Sequence, residues 1–266
     1  MGDVYVCDTE NRRIQKFTTD GAFITAWGTF GFGPGQFIGP WGVAVSPNGE
    51  VFVTDNGGGQ RVEVFTSDGQ FLRQWGSLGA GNGELSAPCG IALDRYGTVY
   101  VADYGNARIQ KFSANGDYVG QWGSEGSGDG QFYYPSCVAV APSGFVYVTE
   151  SDNNRVQKFT SDGTFVAKWG SYGAGPGQFS SPTGVCVDAA GGVYVTDLFN
   201  ARVQKFDAAG GFLTTWYVAS AQAVAVDASR NVFVVSQQGT PRVSKFVLAP
   251  VPVTGTTWGR LKAMYR

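Results

Sequence analysis

The chain contains no histidine. That absence removes the commonest general base, the imidazole metal ligand and any Ser-His-Asp triad. Charge is scarce too: Asp, Glu, Lys and Arg make up 15% of residues and the net charge is −2. A chain this weakly charged and slightly acidic is a poor match for nucleic acid or an anionic membrane. No apolar run approaches the roughly 20 residues of a membrane-spanning helix. The first residues, MGDVYV, lack the basic-then-apolar order of a signal peptide. The four cysteines, Cys7, Cys89, Cys137 and Cys186, have no CxxC spacing, so neither a zinc ribbon nor a redox motif is present.

What is abundant is glycine, 40 of 266 residues, and hydrophobic side chains, 43% of the total. They are arranged in repeats. A block of the form Tyr-Val-x-Asp occupies Tyr5–Asp8, Phe52–Asp55, Tyr100–Asp103, Tyr147–Glu150 and Tyr194–Asp197, with a degraded copy at Phe233–Ser236. The first five copies start 47 or 48 residues apart, and the last step shortens to 39. Each is followed by an RVQKF-like block: Arg13–Phe17, Arg61–Phe65, Arg108–Phe112, Arg155–Phe159, Arg202–Phe206 and Arg242–Phe246. A tryptophan follows ten residues after the phenylalanine: Trp27, Trp75, Trp122, Trp169 and Trp216, with Trp258 as a displaced sixth. A third block opens the repeats at Pro40–Val45, Pro88–Leu93, Pro135–Val140 and Pro182–Val187, and more weakly at Ala223–Val226.

Each block is short, β-branched or aromatic, and bounded by turn residues, which predicts a strand. Asp20-Gly21, Asp68-Gly69, Asn115-Gly116 and Asp162-Gly163 supply the positive φ that tight hairpins need. Each unit is therefore a four-stranded meander, a to d. Stacking six meanders around an axis buries both faces of each sheet and removes the long edges. A parallel β-solenoid is the alternative, but it lacks such hairpin turns. The expected fold is all-β: a six-bladed β-propeller in one domain over 1–266, with repeats at roughly 2–28, 40–76, 88–123, 135–170, 182–216 and 221–259. The first repeat begins at strand b, so blade one lacks its own innermost strand. Either the tail, Arg260–Arg266, improvises a strand or the chain is a piece of a longer protein.

The order Pro-x-Gly-Val-Ala-Val, Val-Tyr-Val-x-Asp, Asn-x-Arg-Val-Gln-Lys-Phe, Trp-Gly resembles the NHL repeat over nearly the whole chain. The resemblance implies a six-bladed propeller and leaves function open. NHL propellers occur in ubiquitin ligases, in RNA-binding regulators and in receptor kinases. Related six-bladed lyases depend on histidine, so their chemistry does not carry over to this chain.

The repeated carboxylates and arginines sit across each b–c hairpin, where bidentate pairing would leave the ring nearly neutral. Arg242 is the exception, because Ser236 replaces its acid. The lysines at 16, 111, 158, 205 and 245 read as stems laid over apolar surface. The tryptophans read as blade-to-blade packing. The loops TFGFGPGQFIGP, SLGAGNGELSAP, SEGSGDGQFYYP and SYGAGPGQFSSP lack the Gly-Lys-Ser/Thr of a phosphate loop, and their Gln-Phe reads as an anchor.

The d–a and b–c connections are expected on one face. There the variable residues of the Pro-x-Gly opening gather: Trp41, Cys89, Ser136 and Thr183. Around them lie Asn56–Gln60, Tyr104, Asp152, Asn153, Leu198, Phe199 and Gln237–Thr240, and Arg242 is a further binding candidate. Cys89 is the thiol expected to be most exposed. This face predicts a non-catalytic binding scaffold with no cofactor. A protein or peptide is the first choice of partner and a small molecule the second, with no nucleic acid or membrane, in a monomer or part of a longer chain. Two other readings are a channel-centred, calcium-dependent hydrolase of the lactonase kind and an RNA-binding propeller.

Overall fold

Alternating β-branched and aromatic residues, cut by glycine turns, dictate short strands, and the computed structural model is built almost entirely of them. It describes residues 2–237 and 242–247 in full, and the backbone of 262–264. Strands β1 (Asp3–Asp8), β2 (Arg13–Thr18) and β3 (Phe23–Trp27) form the first sheet. The second holds β4 (Gly39–Val45), β5 (Val51–Asn56), β6 (Arg61–Phe65) and β7 (Phe71–Trp75). The third holds β8 (Pro88–Leu93), β9 (Val99–Asp103), β10 (Arg108–Phe112) and β11 (Tyr118–Trp122). The fourth holds β12 (Pro135–Val140), β13 (Val146–Glu150), β14 (Arg155–Phe159) and β15 (Phe165–Trp169). The fifth holds β16 (Pro182–Val187), β17 (Val193–Asp197), β18 (Arg202–Phe206) and β19 (Phe212–Tyr217). The sixth holds β20 (Ala221–Val226), β21 (Asn231–Ser236), β22 (Arg242–Val247) and β23 (Lys262–Met264).

This is the expected all-β, six-bladed propeller, with a first blade of three strands. The tail does form a strand, but β23 pairs with β22 as the outermost strand of blade six and leaves blade one as it was. The expected sixth tryptophan, Trp258, and Gln238–Thr240 lie outside the described residues.

The apolar faces of neighbouring sheets meet in separate clusters, one between each successive pair of blades. The tryptophans take part as expected. Trp27, Trp75, Trp122, Trp169 and Trp216 lie 5.7–5.9 Å, centroid to centroid, from the strand-c phenylalanine of the following blade. The hairpin glycine of that next blade completes the contact. At Gly69, with φ +87°, an added Cβ would sit 2.4 Å from the Trp27 ring. The turn thus needs glycine both for its backbone and for the ring it seats.

The lysines do more than cover apolar surface. Lys16, Lys111 and Lys158 each donate to a turn carbonyl of the next blade: Ser67, Ser161 and Ala208, at 3.1, 2.9 and 2.8 Å. Lys245 does the same to Thr19 at 2.9 Å, which ties blade six back to blade one. Blade two has Val64 at this position. Its cross-strand partner Arg73 takes over, donating to Ala114 at 2.7 Å.

Candidate functional site

The long d–a loops are held by the hairpin ion pairs. Arg108 Nε donates to Asp103 Oδ2 at 2.7 Å. The rest of its guanidinium donates to the carbonyls of Ala80, Gly81 and Glu84 in the loop. Asp103 Oδ1 accepts from Ser86 N at 2.7 Å. Arg155 with Glu150 and Arg202 with Asp197 repeat the arrangement at 2.6 and 2.8 Å. The expected pairs form, and the fork also fixes the shape of the glycine-rich loop. Within each loop Gln36, Gln131 and Gln178 accept from a glycine N–H three residues back, and the following phenylalanine is fully buried.

On this rigid rim the predicted site residues take different roles. Trp41 is 53% exposed and belongs to none of the apolar clusters between blades. Ser136 and Thr183 do not present their hydroxyls to a ligand. Ser136 Oγ donates to Pro182 O at 3.1 Å, and Thr183 Oγ1 to Gln222 O at 2.7 Å. Both stitch one blade to the next, as Thr54 Oγ1 does to Cys89 O at 2.6 Å. Leu198 is half-buried, whereas Phe199 projects at 75% exposure. Arg242 is exposed, but the expectation that it is free is corrected: it has a partner.

Cys89 is also a correction. It is the buried cysteine, at 5% exposure, while the other three are half-buried, and all four are free thiols. Burial pushes its thiol up to about 12, which removes the thiolate at neutral pH. Native protein is therefore expected to leave Cys89 unlabelled by iodoacetamide at neutral pH. Fast labelling of Cys89 before unfolding would contradict this.

Tyr104 is where several groups converge. It opens the single-turn helix Tyr104–Asn106 that follows β9. Its ring stacks on Tyr134 of the next blade, with centroids 4.7 Å apart at 22°. Its hydroxyl lies beside Ser151 and within electrostatic reach of Asp152 and Cys89. Burial, then the Asp152 carboxylate, raises the phenol above its ordinary value. Asn56 of blade two reaches the same spot, with Nδ2 3.6 Å from Cys89 Sγ. Tyr134 holds φ +54°, an unusual backbone for a bulky residue, and is 44% exposed. The repeats uses glycine, alanine or serine there, so FYYP was the signal that sequence reasoning passed over.

Among the described residues, no group of three or more His, Cys, Asp or Glu side chains could hold a metal ion. The residues at the channel mouth do not fit the calcium centre of a lactonase-like reading, and no step is derived through one. No helix among the described residues is long and apolar enough to cross a membrane.

No curated protein matches the sequence. Solved structures do match its fold. Virginiamycin B lyase from Staphylococcus aureus, in a catalytically inactive histidine-to-alanine variant with quinupristin, is 17% identical with a TM-score of 0.68, over 98% of this chain and 80% of that one. A streptogramin B lyase gives 15% and 0.67, over 92% and 76%. A chain of the nidogen/laminin complex gives 17% and 0.67, over 92% and 88%. At these identities the likeness is one of fold. It nevertheless corrects the reading as a non-catalytic scaffold and the expectation of no enzymatic activity, because lyases stand among the structures this propeller matches. The NHL repeat profile matches residues 37–65, 85–112, 132–159 and 179–206. Each match runs from the loop phenylalanine or leucine to the strand-c phenylalanine, the stretch that the arginine fork ties together, and the chain belongs to the NHL-repeat β-propellers.

Proposed function

We propose that this propeller is an enzyme acting on a small, neutral, ester- or lactone-bearing molecule at its channel mouth, with Tyr104 as proton donor. The observation that carries the reading is the setting of Tyr104: a phenol kept protonated by burial and by the Asp152 carboxylate, between two blades. A protonated phenol can donate to a carbonyl oxygen and stabilise the charge that builds there. Asp152 is exposed and can accept a proton from the carbon beside that carbonyl. The electron pair of the broken C–H bond then forms a carbon–carbon double bond to the next carbon, whose single bond to the ester oxygen breaks, and the ester departs as a carboxylate with that bonding pair. This is an elimination, the reaction class of a lyase, achieved without histidine. Trp41 and the Tyr104–Tyr134 stack supply apolar surface for the body of such a molecule.

RNA binding is not favoured, because the recurring lysines and arginines are engaged by blade carbonyls and carboxylates.

The test is turnover of a panel of linear and cyclic esters, quinupristin included, followed by mass spectrometry. Tyr104→Phe and Asp152→Asn are each expected to lower kcat by about 10²-fold or more at unchanged thermal stability. No turnover of any ester, or full activity in Tyr104→Phe, would sink the reading.

A further inference from the structure

In blades three to five the b–c loop is pinned by an asparagine amide. Asn106 Nδ2 donates to Asp103 Oδ2 and to Gly79 O of the d–a loop, both at 2.9 Å. Asn153 ties Glu150 to Gly126 O, and Asn200 ties Asp197 to Gly173 O, in the same way. Blade two departs from this. Its loop, Asn56–Gln60, is one residue longer than Tyr104–Ala107, and Gly58 stands where the pinning asparagine would, three residues after the acid. Gly57 and Gly58 hold φ +80° and +136°, a backbone that suits glycine. The Cβ of any larger residue at position 59 would sit 2.0 Å from Asp55 Oδ2. Backbone without a donating amide therefore fills the space beside this carboxylate.

The unpinned loop opens with Asn followed by Gly. The chain has four such pairs: Asn48-Gly49, Asn56-Gly57, Asn82-Gly83 and Asn115-Gly116. In three of them the glycine N–H is held away from the asparagine side chain. Gly49 N donates to Ser46 O at 2.9 Å and Gly116 N to Ser113 O at 3.0 Å, each closing a hairpin turn. Gly83 N donates to Gln110 Oε1 at 3.0 Å. Gly57 N instead donates to the side-chain carbonyl of Asn56 itself. The nitrogen and the carbon it can attack, Asn56 Cγ, are thus already neighbours, whereas the other pairs must first break a bond of the fold. Asn56 is half-buried, but Gly57 and Gly58 are exposed, so water and hydroxide reach the pair.

We infer that Asn56 is a modification site, at which the folded chain turns an amide into a carboxylate through a cyclic imide with Gly57. Hydroxide takes the proton from Gly57 N. The nitrogen's electron pair forms a bond to Asn56 Cγ, and the bond from Cγ to Nδ2 breaks, its pair leaving with a proton as ammonia. Water then opens the ring at either carbonyl, which leaves an aspartyl or an isoaspartyl residue. Nothing is oxidised or reduced. The change falls at the channel mouth: Asn56 Nδ2 donates to Cys89 Sγ at 3.6 Å, and conversion puts a carboxylate in its place. It stands apart from the ester-directed reading, and its test involves no turnover.

The folded chain is incubated at pH 8 and sampled over days, and its proteolytic peptides are followed by mass spectrometry. Asn56 is expected to convert roughly tenfold faster or more than Asn48, Asn82 and Asn115, because its reacting atoms are held together. Both aspartyl and isoaspartyl products should form, and the rate should fall at pH 6, where hydroxide is scarcer. In urea the loop geometry is gone, and the four sites should convert at similar rates. Asn56→Gln, which would need a larger ring, should stay unconverted under the conditions that convert the parent. The inference is overturned if the four sites convert equally in the folded chain. It is overturned too if Asn56 is still intact when the urea sample has converted, or if urea preserves the same preference, since flanking sequence and not the fold would then select the site.

Discussion

Replacing Glu63 with glutamine is expected to stabilise the protein above pH 7 by roughly 2 kcal/mol and to change little below pH 5. Blades three to five carry Gln110, Gln157 and Gln204 at this position, each fully buried. Their Nε2 donates to a loop carbonyl, Gln131 O at 2.7 Å for Gln157, and to the hairpin carboxylate, Glu150 Oε1 at 2.9 Å. Their Oε1 accepts from a loop glycine, Gly130 N at 3.0 Å. Glu63 keeps the second role, accepting from Gly35 N at 2.8 Å, but has no N–H for the first. Two buried carboxylates, Asp55 and Glu63, then share one arginine. Arg61 Nε is drawn off to 3.4 Å from Asp55, against 2.6–2.8 Å in blades three to five. Asp55 Oδ2 and Arg61 Nε are left buried without a hydrogen bond, and so is Glu63 Oε1, although it sits in ion-pair contact with Arg61 Nη2 at 2.6 Å.

A proton on Glu63 repairs the defect, since the neutral acid donates where glutamine donates. Burial first, and then the Asp55 charge, lifts its carboxyl from 4.5 to about 7, against the pull of Arg61 and Gly35 N. The folded state therefore binds this proton more tightly than the unfolded chain. Its contribution to stability is complete below about pH 4.5 and is lost as pH rises through about 7. Glutamine carries its donor at every pH, so Glu63→Gln removes that slope. Urea melts at pH 5 and pH 8 check this. An equal stability difference between variant and parent at both values would show that proton uptake at Glu63 is not the cause.

Glu63 also marks how far the sequence could be read. Its place in the repeat is plain, but the meaning of Gln at that position is not, because the partners are a backbone N–H and a carbonyl of a loop 27 and 26 residues away. The blades were legible because strand period, turn glycines and tryptophans recur in step. The Asp–Arg pairs were legible because five or six residues across a hairpin bring them face to face. Arg73 in place of a lysine could not be seen, since Val64 and Arg73 belong to different strands and meet only through register. Cys89 was misjudged because a variable position was equated with an exposed one. The same equation misplaced Ser136 and Thr183, whose small hydroxyls reach across to the next blade's backbone. Only a large side chain at that position, Trp41, is forced out into solvent. Catalytic potential was set aside because histidine is missing, although a phenol beside a carboxylate needs none.

The largest loss of stability is expected from Arg155→Met. The guanidinium is 7% exposed, and its partner Glu150 is fully buried. It donates to Glu150 Oε1 at 2.6 Å and to the carbonyls of Ser127, Gly128 and Gln131 at 2.6–3.0 Å. Methionine fills much of the volume, so the cost is polar. The Ser127 carbonyl loses its side-chain donor, Gly128 O and Gln131 O each lose one of two, and Glu150 keeps its charge with only Asn153, Gln157 and the Tyr133 N–H to stabilise it. Breaking a buried pair from one side typically costs about 3–5 kcal/mol. That is a large share of the roughly 5–15 kcal/mol that holds a domain folded. Arg155→Met,Glu150→Gln, which removes the stranded charge as well, should recover part of the loss. Arg155→Lys should fall between parent and single variant, because it keeps the charge but cannot reach four acceptors at once. Denaturant melts of the four proteins decide the matter. If Arg155→Met and the double variant unfold at the same midpoint, the stranded carboxylate is not what the arginine protects, and the fork serves the loop alone.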